Sequence, residues 1–119
     1  MRIVVASEEE STRSAIGMLI AAQPDLKLVG DVGDVADLLL VIKTKQPHLV
    51  VLDWDDLAGR IETLQQLLEL FDDPPLIVAL SVHEEARAAV FDSGVAGFAF
   101  KGAPPSELLK TIRASHRVR

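Results

Sequence analysis

Hydrophobic residues along the chain gather into five short, mostly apolar runs, and between the runs they recur three and four positions apart. The runs, at residues 2–6, 26–30, 49–52, 76–80 and 96–100, are too short for helices, are rich in Val, Ile, Leu and Phe, and predict strands. The spacing between them predicts helices. Ile16, Leu19 and Ile20 form a stripe that Pro24 closes, and Val35, Leu38, Leu39 and Ile42 follow the i, i+3, i+4, i+7 pattern of an amphipathic helix ending before Pro47. Ile61, Leu64, Leu68 and Phe71 mark a third helix, broken by Asp72-Asp73-Pro74-Pro75. Residues 84–93 predict a fourth, with Ala86, Ala89 and Val90 inward and Gly94 as its cap, and Pro104-Pro105 opens a fifth along Leu108, Leu109 and Ile112.

Strands and helices alternating at spacings of about 20 to 25 residues require right-handed crossovers. The fold class expected is therefore α/β: a single doubly wound, mostly parallel sheet of five strands with five helices, in one domain over residues 1–119. The run at 49–52 is apolar on both faces, which marks a central strand covered on both sides.

That central run stops on Asp53, with Asp55 and Asp56 close behind. In an open parallel sheet the carboxyl ends of the strands share one edge, and ligands bind there. At that edge the sequence sets Ser7 and Glu8 after the first strand, Asp53 after the third, Ser81 after the fourth and Lys101 after the fifth. Taken singly, each residue has a plain structural role: an acid opening a turn, a turn serine, a surface lysine. Together they form a set suited to phosphoryl transfer, with a carboxylate acceptor, acids that hold Mg²⁺, and hydroxyl and ammonium donors for phosphoryl oxygens.

Composition narrows the partners. A net charge of −6 argues against generalised nucleic-acid binding, and the basic residues near the end, Lys110, Arg113, Arg117 and Arg119, read as helix-dipole partners and a solvated tail. No cysteine is present, so neither a thiolate metal site nor a disulfide framework is available. No apolar run approaches the ~20 residues of a membrane span, and a cytoplasmic location without membrane contact is expected. His48, His83 and His116 lack spaced partners for a metal site, and Trp54 reads as a packing residue beside Asp53.

Over its whole length the chain resembles the receiver domain of bacterial two-component response regulators. The likeness is closest to the nitrate-response and nitrogen-fixation regulator type, through Leu80-Ser81-Val82-His83-Glu84-Glu85 and Gly97-Phe98-Ala99-Phe100-Lys101-Gly102-Ala103. The resemblance implies a flavodoxin-like sheet in the order 2-1-3-4-5, with Asp53 as phosphoacceptor, Ser81 as switch hydroxyl, Phe98 as aromatic switch residue and Lys101 as the active-site lysine. It implies Mg²⁺ on Glu8, Asp53 and the backbone carbonyl of Asp55. It further implies a histidine kinase or phosphotransfer protein as donor, and an output domain, partner or second copy engaged through Phe98 to Ile112. No enzyme activity is implied beyond self-catalysed phosphoryl transfer and aspartyl-phosphate hydrolysis.

Two departures stand out. The family's adjacent acids after the first strand are here Ser7-Glu8, and its Met-Pro-Gly type loop is here Asp56-Leu57-Ala58-Gly59. One carboxylate fewer predicts Mg²⁺ binding weakened roughly tenfold, with Asp55 and Asp56 the acids near enough in sequence to compensate. The alternatives are a phosphorylation-independent pseudo-receiver and a small haloacid-dehalogenase-like phosphatase built on Asp53-Trp54-Asp55. The phosphatase motif usually lies on a first strand and is accompanied by a cap domain. No DNA-binding segment follows the last helix, which predicts a stand-alone receiver or one taken from a longer regulator.

Overall fold

The computed structural model describes residues 1–57 and 61–115. Five parallel strands, β1 (Arg2–Ala6), β2 (Lys27–Val32), β3 (Leu49–Asp53), β4 (Leu76–Ser81) and β5 (Gly97–Phe100), form one sheet in the order β2-β1-β3-β4-β5. The helices are α1 (Glu10–Ala21), α2 (Val35–Lys45), α3 (Trp54–Leu57), α4 (Ile61–Leu68), α5 (Arg87–Asp92) and α6 (Pro105–Ala114), with a 3₁₀ turn at Glu84–Ala86 before α5.

Side-chain alternation along the strands divides the apolar residues into two cores. Leu49 and Val51 of β3 join Ile3, Val5, Ile16, Ile20 and Ile112 on the face covered by α1 and α6. Val50 and Leu52 join Val4, Leu38, Ile42, Leu64 and Val90 on the face covered by α2, α4 and α5. Every residue of β3 is buried, as its unbroken apolar run predicts.

The helix ends have local causes. Asp34 caps α2 by accepting from the Asp37 amide at 2.7 Å, and Gln46 closes that helix at φ 48°. Gly94 follows α5 at φ 91°, the left-handed conformation that a residue without Cβ takes cheaply. Against β5, α6 packs so closely that a Cβ on Gly97 would stand 2.8 Å from Thr111 Cγ2. In the same last turn Arg113 donates to both carboxylate oxygens of Asp25, each at 2.9 Å, clamping α6 to the loop before β2. The β1–β2 register passes from Ile3 opposite Leu28 to Val4 opposite Gly30, so Val29 is skipped in a bulge.

Three sequence expectations are corrected. Among the described residues there are six helices rather than five, because β3 runs directly into the single turn of α3 before α4 begins. Ala89 is exposed rather than inward. The segment opens as a 3₁₀ turn with three residues per turn, which rotates its face so that Val90 is fully buried and Ala86 half-buried. The third expected helix stops at Leu68, although Phe71 still packs on the same core. No helix among the described residues is long and apolar enough to cross a membrane.

Candidate functional site

Strand ends bring the predicted residues together at the carboxyl edge of the sheet. Asp53 closes β3 and is 3% exposed; an ionised carboxylate this deep requires a partner. Lys101, one residue past β5, supplies it with Nζ 2.7 Å from Asp53 Oδ1. Its amide continues the β4–β5 ladder by donating to the Ser81 carbonyl at 2.8 Å, which fixes the root of the side chain. Burial works to lower the Lys101 pKa, but the hydrogen bond and charge of Asp53, joined by the charge of Asp55, hold it above its ordinary value. The ammonium is therefore charged at neutral pH.

The other oxygen of Asp53 faces Ser7. Buried at the end of β1, Ser7 places Oγ 3.0 Å from Asp53 Oδ2 and 3.3 Å from Asp56 Oδ2. A hydroxyl has one proton, so it donates to one of these acids at a time. The Glu8 amide donates to Asp56 Oδ2 at 2.7 Å, and the Glu9 amide donates to Ser7 Oγ at 3.2 Å. Arg13 holds the same loop through its bond to the Ser7 carbonyl at 2.8 Å. Asp56, which the turn of α3 swings back over the strand ends, thus brings a second carboxylate to the Ser7 hydroxyl from the side opposite Lys101.

Magnesium is commonly bound by one or two carboxylates while keeping several waters. Asp53, Asp56 and the Ser7 hydroxyl fit that donor set, with Glu8 adjoining them. Among the described residues no group of three His, Cys, Asp or Glu side chains is arranged to hold a metal ion.

Asp55 turns the other way. Ser81 Oγ donates to its Oδ1 at 2.6 Å, the Val82 amide donates to its Oδ2 at 2.9 Å, and Lys101 Nζ lies 3.5 Å from Oδ2. Burial opposes its ionisation, but the Ser81 hydroxyl, the Val82 amide and the Lys101 charge together hold its pKa below the usual carboxylate value. The single proton of the Ser81 hydroxyl is thereby committed to Asp55, while the His83 amide donates to Ser81 Oγ at 2.9 Å.

Phe98 lies on β5, 4% exposed, with the Arg87 guanidinium carbon 4.8 Å from its ring centroid. The stretch from Phe98 to Ile112 is therefore not a continuous surface: Phe98, Ala99, Leu108, Leu109 and Ile112 are buried, and its exposed part lies at Gly102, residues 104–107 and Lys110. Sequence reasoning missed Arg13, and it did not separate the directions of Asp55 and Asp56. The available signal was the i, i+3 spacing of Asp53 and Asp56, which one helical turn brings to the same side. Trp54 packs on the core, and His48 Nδ1 accepts from the Arg2 amide at 2.8 Å, a structural role. Ala58, Gly59, His116, Arg117 and Arg119 lie outside the described residues.

No family model matches the chain. It is 27% identical over 114 residues to the uncharacterized transcriptional regulatory protein YhcZ of Bacillus subtilis, covering 93% of this chain and 53% of that protein. Over 113 residues it is 26% identical to the nitrate/nitrite response regulator protein NarL of Escherichia coli, covering 92% of this chain and 52% of that protein. The chain spans about half the length of these curated relatives. The signal receiver domain of the putative response regulator NarL from Mycobacterium tuberculosis matches it with a TM-score of 0.80 at 21% identity, over 94% of this chain and 92% of that one. The fold is that of the receiver domains of response regulators. The likeness to the nitrate-response kind, first met in the motifs around Ser81 and Lys101, holds across the length of the chain.

Proposed function

We propose that the chain is a receiver module in which Asp53 accepts a phosphoryl group from the phosphohistidine of a histidine kinase or phosphotransfer protein. The observation that carries this reading is the buried Asp53 carboxylate held 2.7 Å from a charged lysine at the carboxyl edge of a parallel sheet. In the transfer an Asp53 oxygen forms its bond to phosphorus as the donor's P–N bond breaks, and the bonding pair leaves on the imidazole nitrogen. Lys101 offsets charge on the incoming group, and Ser7 orients Asp53 Oδ2. Mg²⁺ would neutralise phosphoryl oxygens, held by Asp53 with Glu8 and the Asp55 backbone carbonyl, and the Asp56 carboxylate beside Ser7 adds an acid to that set.

The modification is read through Ser81 on β4 and Phe98 on β5, next to a groove of 670 Å³ whose lining includes Arg87, Phe91, Pro104, Glu107 and Lys110. That groove is the surface proposed for an output domain, a partner protein or a second copy. Relatives about twice as long and named as regulators support a signalling role rather than an enzymatic one, and a cytoplasmic setting follows from that role. The net charge of −6 favours protein partners over nucleic acid for this domain.

The test is chemical labelling. Beryllofluoride or a small phosphodonor with Mg²⁺ should modify the wild type and leave Asp53→Asn untouched, as read by mass spectrometry for the phosphodonor. Equal labelling of the two would end the proposal.

A further inference from the structure

We infer that Asp55 is a built-in occupant of the phosphoryl-oxygen site, holding the unmodified domain in the arrangement that a phosphoryl group on Asp53 would impose. The inference rests on Asp53 being the acceptor and concerns what lies beside it before modification. A phosphoryl group on Asp53 brings oxygens that need donors from β4 and β5. The donors there are the Ser81 hydroxyl, the Val82 amide and the Lys101 ammonium. All three already converge on one carboxylate: Ser81 at 2.6 Å, Val82 at 2.9 Å and Lys101 at 3.5 Å.

The fit has the character of a ligand in its site. Each Asp55 oxygen has its own donor, and the Asp55 amide itself points at Asp53 Oδ1 from 3.3 Å. The carboxylate imitates the phosphoryl group incompletely, with two oxygens and one charge against three oxygens and a charge of ≈ −1.5 to −2. It hangs on the single turn of α3, so it is able to swing out without unpacking a long helix. Ser81 is engaged by this carboxylate, and Phe98, one strand over, is buried in the core.

Two consequences follow. An arriving phosphoryl group must expel Asp55, which competes for the same donors and repels it as a like charge. The unmodified domain, for its part, already presents the partner face in its anion-engaged form, so that modification reinforces a state rather than creating one.

Backbone amide resonances of the wild type, Asp55→Ala and Asp55→Asn, recorded without ligand and with beryllofluoride and Mg²⁺, test this. Without ligand, the Ser81, Val82 and Phe98 amides of Asp55→Ala should move away from their wild-type positions, and beryllofluoride should bring them back. Half-saturation by beryllofluoride should occur at a concentration at least about threefold lower in Asp55→Ala, because the internal competitor is gone. Asp55→Asn keeps the volume and removes the charge, so it should move the same amides in the same direction even if the alanine variant fails to fold. Unmoved amides in the ligand-free variants would overturn the inference, as would wild-type amides that respond to beryllofluoride as widely as those of the variant. If beryllofluoride binds neither protein, or binds Asp53→Asn equally, the acceptor reading fails, while the ligand-free comparison still decides the role of Asp55.

Discussion

Ser7 holds apart two carboxylates that would otherwise repel one another, with a single proton to offer them. Removing the hydroxyl in Ser7→Ala takes the Ser7 donor from the buried Oδ2 of Asp53 and should cost about 1–3 kcal/mol, read as a lowered urea midpoint. Ser7→Asp reverses the chemistry by packing a third acid into the cluster. That variant should be less stable than wild type without Mg²⁺, and should bind Mg²⁺ roughly tenfold more tightly, seen as quenching of the lone Trp54 that disappears in Asp53→Ala. Equal Mg²⁺ titrations of wild type and Ser7→Asp would show that position 7 does not govern the metal. Asp53, Ser81 and Lys101 were legible in the sequence because parallel strands place their last residues on one edge, whatever the helices do. The opposed directions of Asp55 and Asp56 were not, because they depend on a four-residue turn too short to leave a hydrophobic period.

Among the elements, α6 is secured through its last turn by two contacts of different kinds. Gly97 admits its close approach to β5, and Gly97→Ala should force Thr111 and Ser115 outward at a cost of about 1–3 kcal/mol in chemical denaturation. The Arg113 clamp is electrostatic: its hydrogen bonds hold the Asp25 carboxyl below its ordinary 3.8. A carboxyl depressed in the folded state stabilises at pH values above its unfolded pKa and loses that contribution as pH falls through the folded one. Arg113→Gln should accordingly lower the urea midpoint at neutral pH, with the gap to wild type closing as pH drops below 3.8. Sequence pattern assigned Arg113 to the helix dipole. Its partner lies 88 residues away, a distance over which periodicity carries no information.

The molecule is two cores sharing one sheet, and the sequence announced this through the four apolar residues of β3 that precede Asp53. Ile20 lies in one core and Ile42 in the other. Ile20→Val and Ile42→Val should each cost about 0.5–1.5 kcal/mol, and the double variant should equal their sum to within about 0.5 kcal/mol. A larger departure would mean that the sheet transmits repacking from face to face. The parallel, doubly wound sheet was legible in the spacing of strands and helices, whereas its order came from the resemblance to receiver domains. The bulge at Val29 left no mark in the pattern of residues, yet it bears on what the edge of the sheet offers to another chain. A free strand edge is a template for another chain, and β2 is such an edge. The skipped Val29 kinks it, and the exposed charges of Lys27 and Asp31 stand at either end, so an incoming strand finds no straight, neutral row of amides and carbonyls to copy. An irregular, charged edge of this kind is a poor template for a further strand.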